Sequence, residues 1–120
     1  MRKGEIFKAR DKSNHPHPIV FLERLSESKF SACILSTKNT EGNIPMSEEY
    51  FLDLDETESA YSIIFNNSHL VPYRLFEKED LWLESNEPCG KLSKKGIEFI
   101  EKYTKNIDLE FHPVPIWVDI

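Results

Sequence analysis

Residues 17–36 read HPIVFLERLSESKFSACILS, and this stretch decides the fold. Ile19 to Leu22 and Phe30 to Ser36 are two short apolar runs, rich in β-branched and aromatic residues. Runs of that length and composition are those of buried strands. The charged segment between them, Glu23 to Lys29, is long enough only for a turn, so the two runs predict a hairpin.

The same reading extends outward. Gly4 to Ala9 (GEIFKA) predicts a first strand, and the polar, proline-bearing Arg10 to Pro18 a loop. Beyond the hairpin, Thr37 to Pro45 is a loop turning at Gly42. Tyr50 to Leu54 and Ser62 to Phe65 predict strands, and His69 to Phe76 predicts one broken at Pro72. Glu77 to Leu83 fits either a helical turn or a short strand. Ser93 to Lys105 (SKKGIEFIEKYTK) predicts a helix. Ser93 suits the N-cap, Ile97, Ile100 and Tyr103 share one face, and Lys102 and Lys105 suit the C-terminal end of the dipole. Gly96 weakens its first turn. Phe111 to Ile120, with two prolines, is extended. Strands first and one helix near the end imply a mainly β (β+α) chain, a small barrel or sandwich with the helix packed across it. One domain over residues 1–107, followed by a tail or edge strand over 108–120, accounts for the whole length.

The composition narrows the function. The chain has 120 residues, a net charge of −6 and a pI near 5.2. That balance argues against coating duplex DNA or an anionic membrane, which require a basic footprint. No stretch approaches the roughly 20 apolar residues of a membrane span. The two cysteines, Cys33 and Cys89, make no disulfide framework, and no leader is visible. The reading is a reduced cytoplasmic protein.

Four ordered segments carry a resemblance: GEIF at Gly4 to Phe7, HPIVFL at His17 to Leu22, ILSTK at Ile34 to Lys38, and CGKLSKKGIEFIEKY at Cys89 to Tyr103. Between them, Ser68 to Leu81 fits as well. In this order and spacing they resemble the PemK/MazF family of growth-inhibitor toxins. The resemblance implies an SH3-like barrel with a C-terminal helix, a homodimer, and metal-independent cleavage of single-stranded RNA without cofactor. It also implies an antitoxin protein that holds the activity in check. The departures fall at the site: His17 stands where the family places an arginine, and Asn66-Asn67-Ser68-His69 where many members carry an acid.

Cleavage through the 2′-hydroxyl needs a base, an acid and a positive group for the phosphate. Histidine serves both proton roles near neutral pH. His17, His69 and Thr37 are the candidate catalytic residues, and Arg10, Lys12 and Ser36 the candidates for holding RNA. Convergence of Arg10, Lys12, His17 and Thr37 in one patch would favour a nuclease. The structural alternatives are plain: Ser36 and Thr37 cap a buried strand, and the loop cations are solvated. Cys33 reads as packing rather than a nucleophile, and no metal-ligand spacing occurs. The rival functions are a non-catalytic module of the same fold that binds a protein partner, and a toxin that poisons a topoisomerase.

Overall fold

A computed structural model describes residues 1–10, 16–39, 42–54 and 68–111. Its strands are β1 (Glu5–Arg10), β2 (Pro16–Arg24), β3 (Lys29–Ser36), β4 (Ile44–Pro45), β5 (Phe51–Leu54), β6 (His69–Leu70), β7 (Leu75–Glu79), β8 (Gly90–Leu92) and β9 (Leu109–Phe111). Among the described residues there is one α-helix, α1 (Lys94–Thr104). The predicted hairpin is β2–β3, with Ile19 opposite Ile34 and a bulge between Phe21 and Glu23. Outward from it the order is β4-β6-β3-β2-β1-β8-β5, all antiparallel. β3 has two neighbours on its far side. Lys29–Ala32 pair with β7, and Leu35 and Ser36 pair with β6. β9 joins the free edge of β7 in parallel.

This split makes the sheet curl into a half-barrel. After β7 the chain takes a 3-10 turn, Asp80–Trp82, and Leu83 bridges to Ala9 of β1. The Glu84 N–H then donates to the Lys8 carbonyl at 2.8 Å. Side chains alternate along a strand, so each strand of the hairpin feeds two cores. Phe7, Ala9, Ile19, Phe21, Phe30, Ala32, Ile34, Phe76 and Leu83 fill the concave interior. Ile6, Val20, Cys33, Leu35 and Leu92 point the other way, where Ile100 of α1 covers them. Burial on both faces is why the hairpin sequence reads as unbroken apolar runs rather than alternation.

The helix begins where expected. The Ser93 hydroxyl accepts the Gly96 N–H at 3.1 Å and donates to the Glu49 carbonyl at 2.6 Å, tying α1 to the 3-10 turn Glu48–Tyr50. Gly96 is more than a weak helix former: a Cβ there would lie 2.2 Å from the Tyr50 carbonyl oxygen. The glycine lets the helix lie directly on that turn.

Three expectations need correction. Pro16 to Pro18 is strand rather than loop, with Pro18 opposite Lys8 and Pro16 opposite Arg10. These prolines occupy the end of β2 beyond its pairing with β3, where a strand tolerates a missing donor. Arg10 is likewise the last residue of β1 rather than part of a loop. Gly90–Leu92, for which the sequence predicts no strand, is a strand paired with both β1 and β5. The strand expected at Ser62 to Phe65 and the tail beyond Phe111 lie outside the described residues.

Candidate functional site

The registers pair two candidates directly and put a third on the same side of the sheet. Ser36 and His69 are partners across β3–β6, and His17 is the partner of Ala9 across β1–β2. The β2–β3 pairing ends at Ile19 and Ile34, two residues short of His17 and Ser36 on either strand. All three share the alternation of interior residues: His17 with Ile19, Ser36 with Ile34, and His69 with Val71. His17, Ser36 and His69 therefore face the concave side at one mouth of the half-barrel. The two histidines are half-buried and Ser36 is buried. Two backbone bonds hold β6 in place: Val71 N–H to the Ile34 carbonyl at 3.1 Å, and Met46 N–H to the Ser68 carbonyl at 2.9 Å.

The end of β3 is locally fixed. The Ser36 hydroxyl accepts the Lys38 N–H at 3.0 Å, closing a turn just past the strand. This is the capping role that the sequence allowed for Ser36. The Asn43 side chain donates to the Lys38 carbonyl at 3.1 Å and pins the turn against the segment that leads into β4. Thr37 and Lys38 are exposed on it. Lys38 was not among the candidate cations, although it completes the motif ILSTK that drew attention to Ser36 and Thr37.

The other cations do not join the histidines. Arg10 follows Ala9 on β1 and so alternates to the opposite face from His17, where it is exposed. Lys12 lies outside the described residues. The described part of the mouth thus holds two imidazoles and a serine, with Thr37 and Lys38 exposed on the turn just past it. Such a set can exchange protons and donate hydrogen bonds to a phosphate. Among the described residues no group of three or more His, Cys, Asp and Glu could hold a metal ion. No described helix is long and apolar enough to cross a membrane.

The far mouth of the half-barrel is built differently. Lys78 projects inward beside Phe30, its partner on β3, and is only 1% exposed. Its Nζ lies 5.7 Å from the centre of the Phe76 ring. Burial pushes the ammonium down from its ordinary 10.5 to about 8. Nearby, Arg24 lies over the Phe21 and Phe30 rings at 5.7 and 5.9 Å and pairs with Asp80 at 2.7 Å. No sequence signal marked Lys78, because a lysine in an alternating strand reads as solvent-facing.

A third feature is a groove of about 860 Å³ beside α1 on the convex side. Leu22, Ser31, Leu75 and Thr104 line it, with Glu23, Glu98 and Glu101 among its charged residues. Cys33, on the same side, is buried packing as expected. Burial pushes its thiol up to about 12, partly offset by backbone hydrogen bonds at Cys33 and Val20. No family model matches this chain, and no significant match to it was found among curated proteins or solved structures.

Proposed function

We propose that this chain is a metal-independent endoribonuclease of the PemK/MazF kind on an SH3-like barrel, the toxin of a type II toxin–antitoxin pair, cutting single-stranded RNA. The observation that carries the reading is that Ser36 pairs with His69 and that His17, the partner of Ala9, shares their side of the sheet. One imidazole takes the proton from a 2′-hydroxyl, whose oxygen attacks the adjacent phosphorus. The bond from phosphorus to the 5′-oxygen breaks, and the other imidazole, protonated, supplies that oxygen with a proton. The products are a 2′,3′-cyclic phosphate and a 5′-hydroxyl, so the step consumes no water. Ser36, Thr37 and Lys38 are the donors for the non-bridging oxygens. The same reading carries a homodimer and an antitoxin partner.

The test is incubation of the folded protein with a long single-stranded RNA in EDTA. Discrete cuts are expected, with His17→Ala and His69→Ala each slowing cleavage by roughly 10²- to 10⁴-fold. RNA left intact by the wild-type protein refutes the reading. A second reading is a non-catalytic module that binds a protein partner. It is favoured by Arg10 facing away from His17, and by the groove beside α1, whose size is that of a ligand site. Capture of a peptide that leaves RNA cleavage absent would decide for it.

A further inference from the structure

Three faces of α1 have different surroundings. Gly96, Ile100 and Thr104 face the core. Glu98, Glu101 and Lys105 face the groove on one side, where Lys3 pairs with Glu101 at 2.9 Å. On the other side the helical spacing puts Lys95, Phe99, Lys102 and Tyr103 in one stripe. An unbroken ladder of rings runs along that stripe. Tyr50 stacks on Phe99 at 4.5 Å, Phe99 meets Tyr103 edge-on at 5.3 Å, and Tyr103 meets Tyr73 edge-on at 5.8 Å. The Lys102 ammonium lies 5.5 Å from the Tyr103 ring.

The ladder ends at a residue whose backbone does not suit it. Tyr73 has φ +60°, in the left-handed region. The other described non-glycine residue there, Asn106, sits just past the helix C-terminus, where asparagine is at ease. Tyr73 lies in the turn between β6 and β7, a place that glycine or asparagine would fill without strain. Both neighbours hold the turn: Pro72 fixes its own φ, and Arg74 grips Glu110 of β9 through two bonds of 2.6 and 3.0 Å. The product of this rigid, strained turn is a tyrosine that is 65% exposed and meets Tyr103 edge-on. A strained residue that contributes nothing to the core points to a contact made outside it.

We infer that Tyr73, edge-on to Tyr103 and flanked by Lys102, is a stacking platform for an unpaired base of single-stranded RNA, with Lys102 meeting an adjacent phosphate. An exposed ring takes any base on its face, and a nearby cation holds the backbone, which is how single strands are bound without sequence preference. The inference rests on RNA being the ligand of the histidine site and adds a second contact to it. Tyr73 follows His69 by four residues, in the turn that leaves β6.

The test is fluorescence anisotropy with a 2′-O-methyl oligouridine, which binds but cannot be cut. Tyr73→Asn is expected to weaken binding on the order of tenfold, while melting at or above the wild-type temperature because asparagine tolerates the turn. Tyr73→Phe keeps the ring and is expected to keep the affinity. Lys102→Ala is expected to lower the slope of log affinity against log salt by about 0.7. Equal affinity of Tyr73→Asn and wild type overturns the platform, as does failure of the wild type to bind. Binding that depends on Tyr73 in a protein that leaves RNA uncut keeps the platform and refutes the nuclease.

Discussion

Replacing Lys78 by methionine should stabilise the protein, with an effect that fades at alkaline pH. Lys78 is 1% exposed inside the half-barrel, and burial brings its ammonium from 10.5 down to about 8. A folded-state value below the unfolded one means that the unfolded chain binds the proton more tightly. Below about pH 8 both states are charged, and folding carries the full cost of burying the charge. As the pH rises from about 8 towards 10.5, folded Lys78 loses its proton first, and the cost disappears. A shift of that size corresponds to a cost of about 2–3 kcal/mol, at about 1.4 kcal/mol per pH unit. Methionine keeps the length and the apolar stem, so it removes the cost without opening a cavity. The assay is urea unfolding of both proteins at pH 6.5, 8 and 9.5, comparing only their difference so that other titrations cancel. With a slope of about 1–3 kcal/mol/M, the midpoint of Lys78→Met should lie about 1 M higher at pH 6.5. That advantage should shrink by pH 9.5. A variant less stable than wild type, or an advantage independent of pH, refutes the reasoning.

Gly96→Ala reverses the ordinary rule of helix propensity. Alanine favours a helix by about 1 kcal/mol over glycine, yet here its Cβ meets the Tyr50 carbonyl oxygen at 2.2 Å, so thermal unfolding should show a net loss of about 1–3 kcal/mol. The thiols should also separate. At pH 8 a disulfide reagent should titrate Cys89 in the folded protein and Cys33 only after unfolding, since Cys33 is buried and its thiol is held near 12. Two fast thiols would show that the interior opens.

The fold was legible where one residue type has one physical use. Ser93 is a helix cap in sequence and in space, and the β-branched runs around Ile19 and Ile34 pair as a hairpin. Prolines mislead when they fall at a strand end, as Pro16 and Pro18 do, because the rule against them concerns lost donors rather than extended backbone. Gly90–Leu92 is a strand only because β1 and β5 lie on either side of it, which no local pattern encodes. The candidate site was legible one residue at a time. The chemistry of His17, Ser36 and His69 is visible in the sequence, whereas their common side depends on the pairing of separate strands. The separation of Arg10 from them follows from the same alternation, which the sequence carries only once the strand is known to include residue 10. Tyr73 and Lys78 left no sequence signal, since backbone strain and inward orientation are properties of the assembled sheet.

The double-sided burial of β2 and β3 bears on how the chain is made. Ribosomes deliver β3 roughly 60 residues before the first turn of α1, an interval of roughly 3–12 s at 5–20 residues per second. Throughout it Val20, Cys33 and Leu35 lack the helix that covers them in the finished protein. The nascent hairpin is thus a natural client for chaperones, and truncations before α1 should collect in the insoluble fraction rather than fold as smaller barrels.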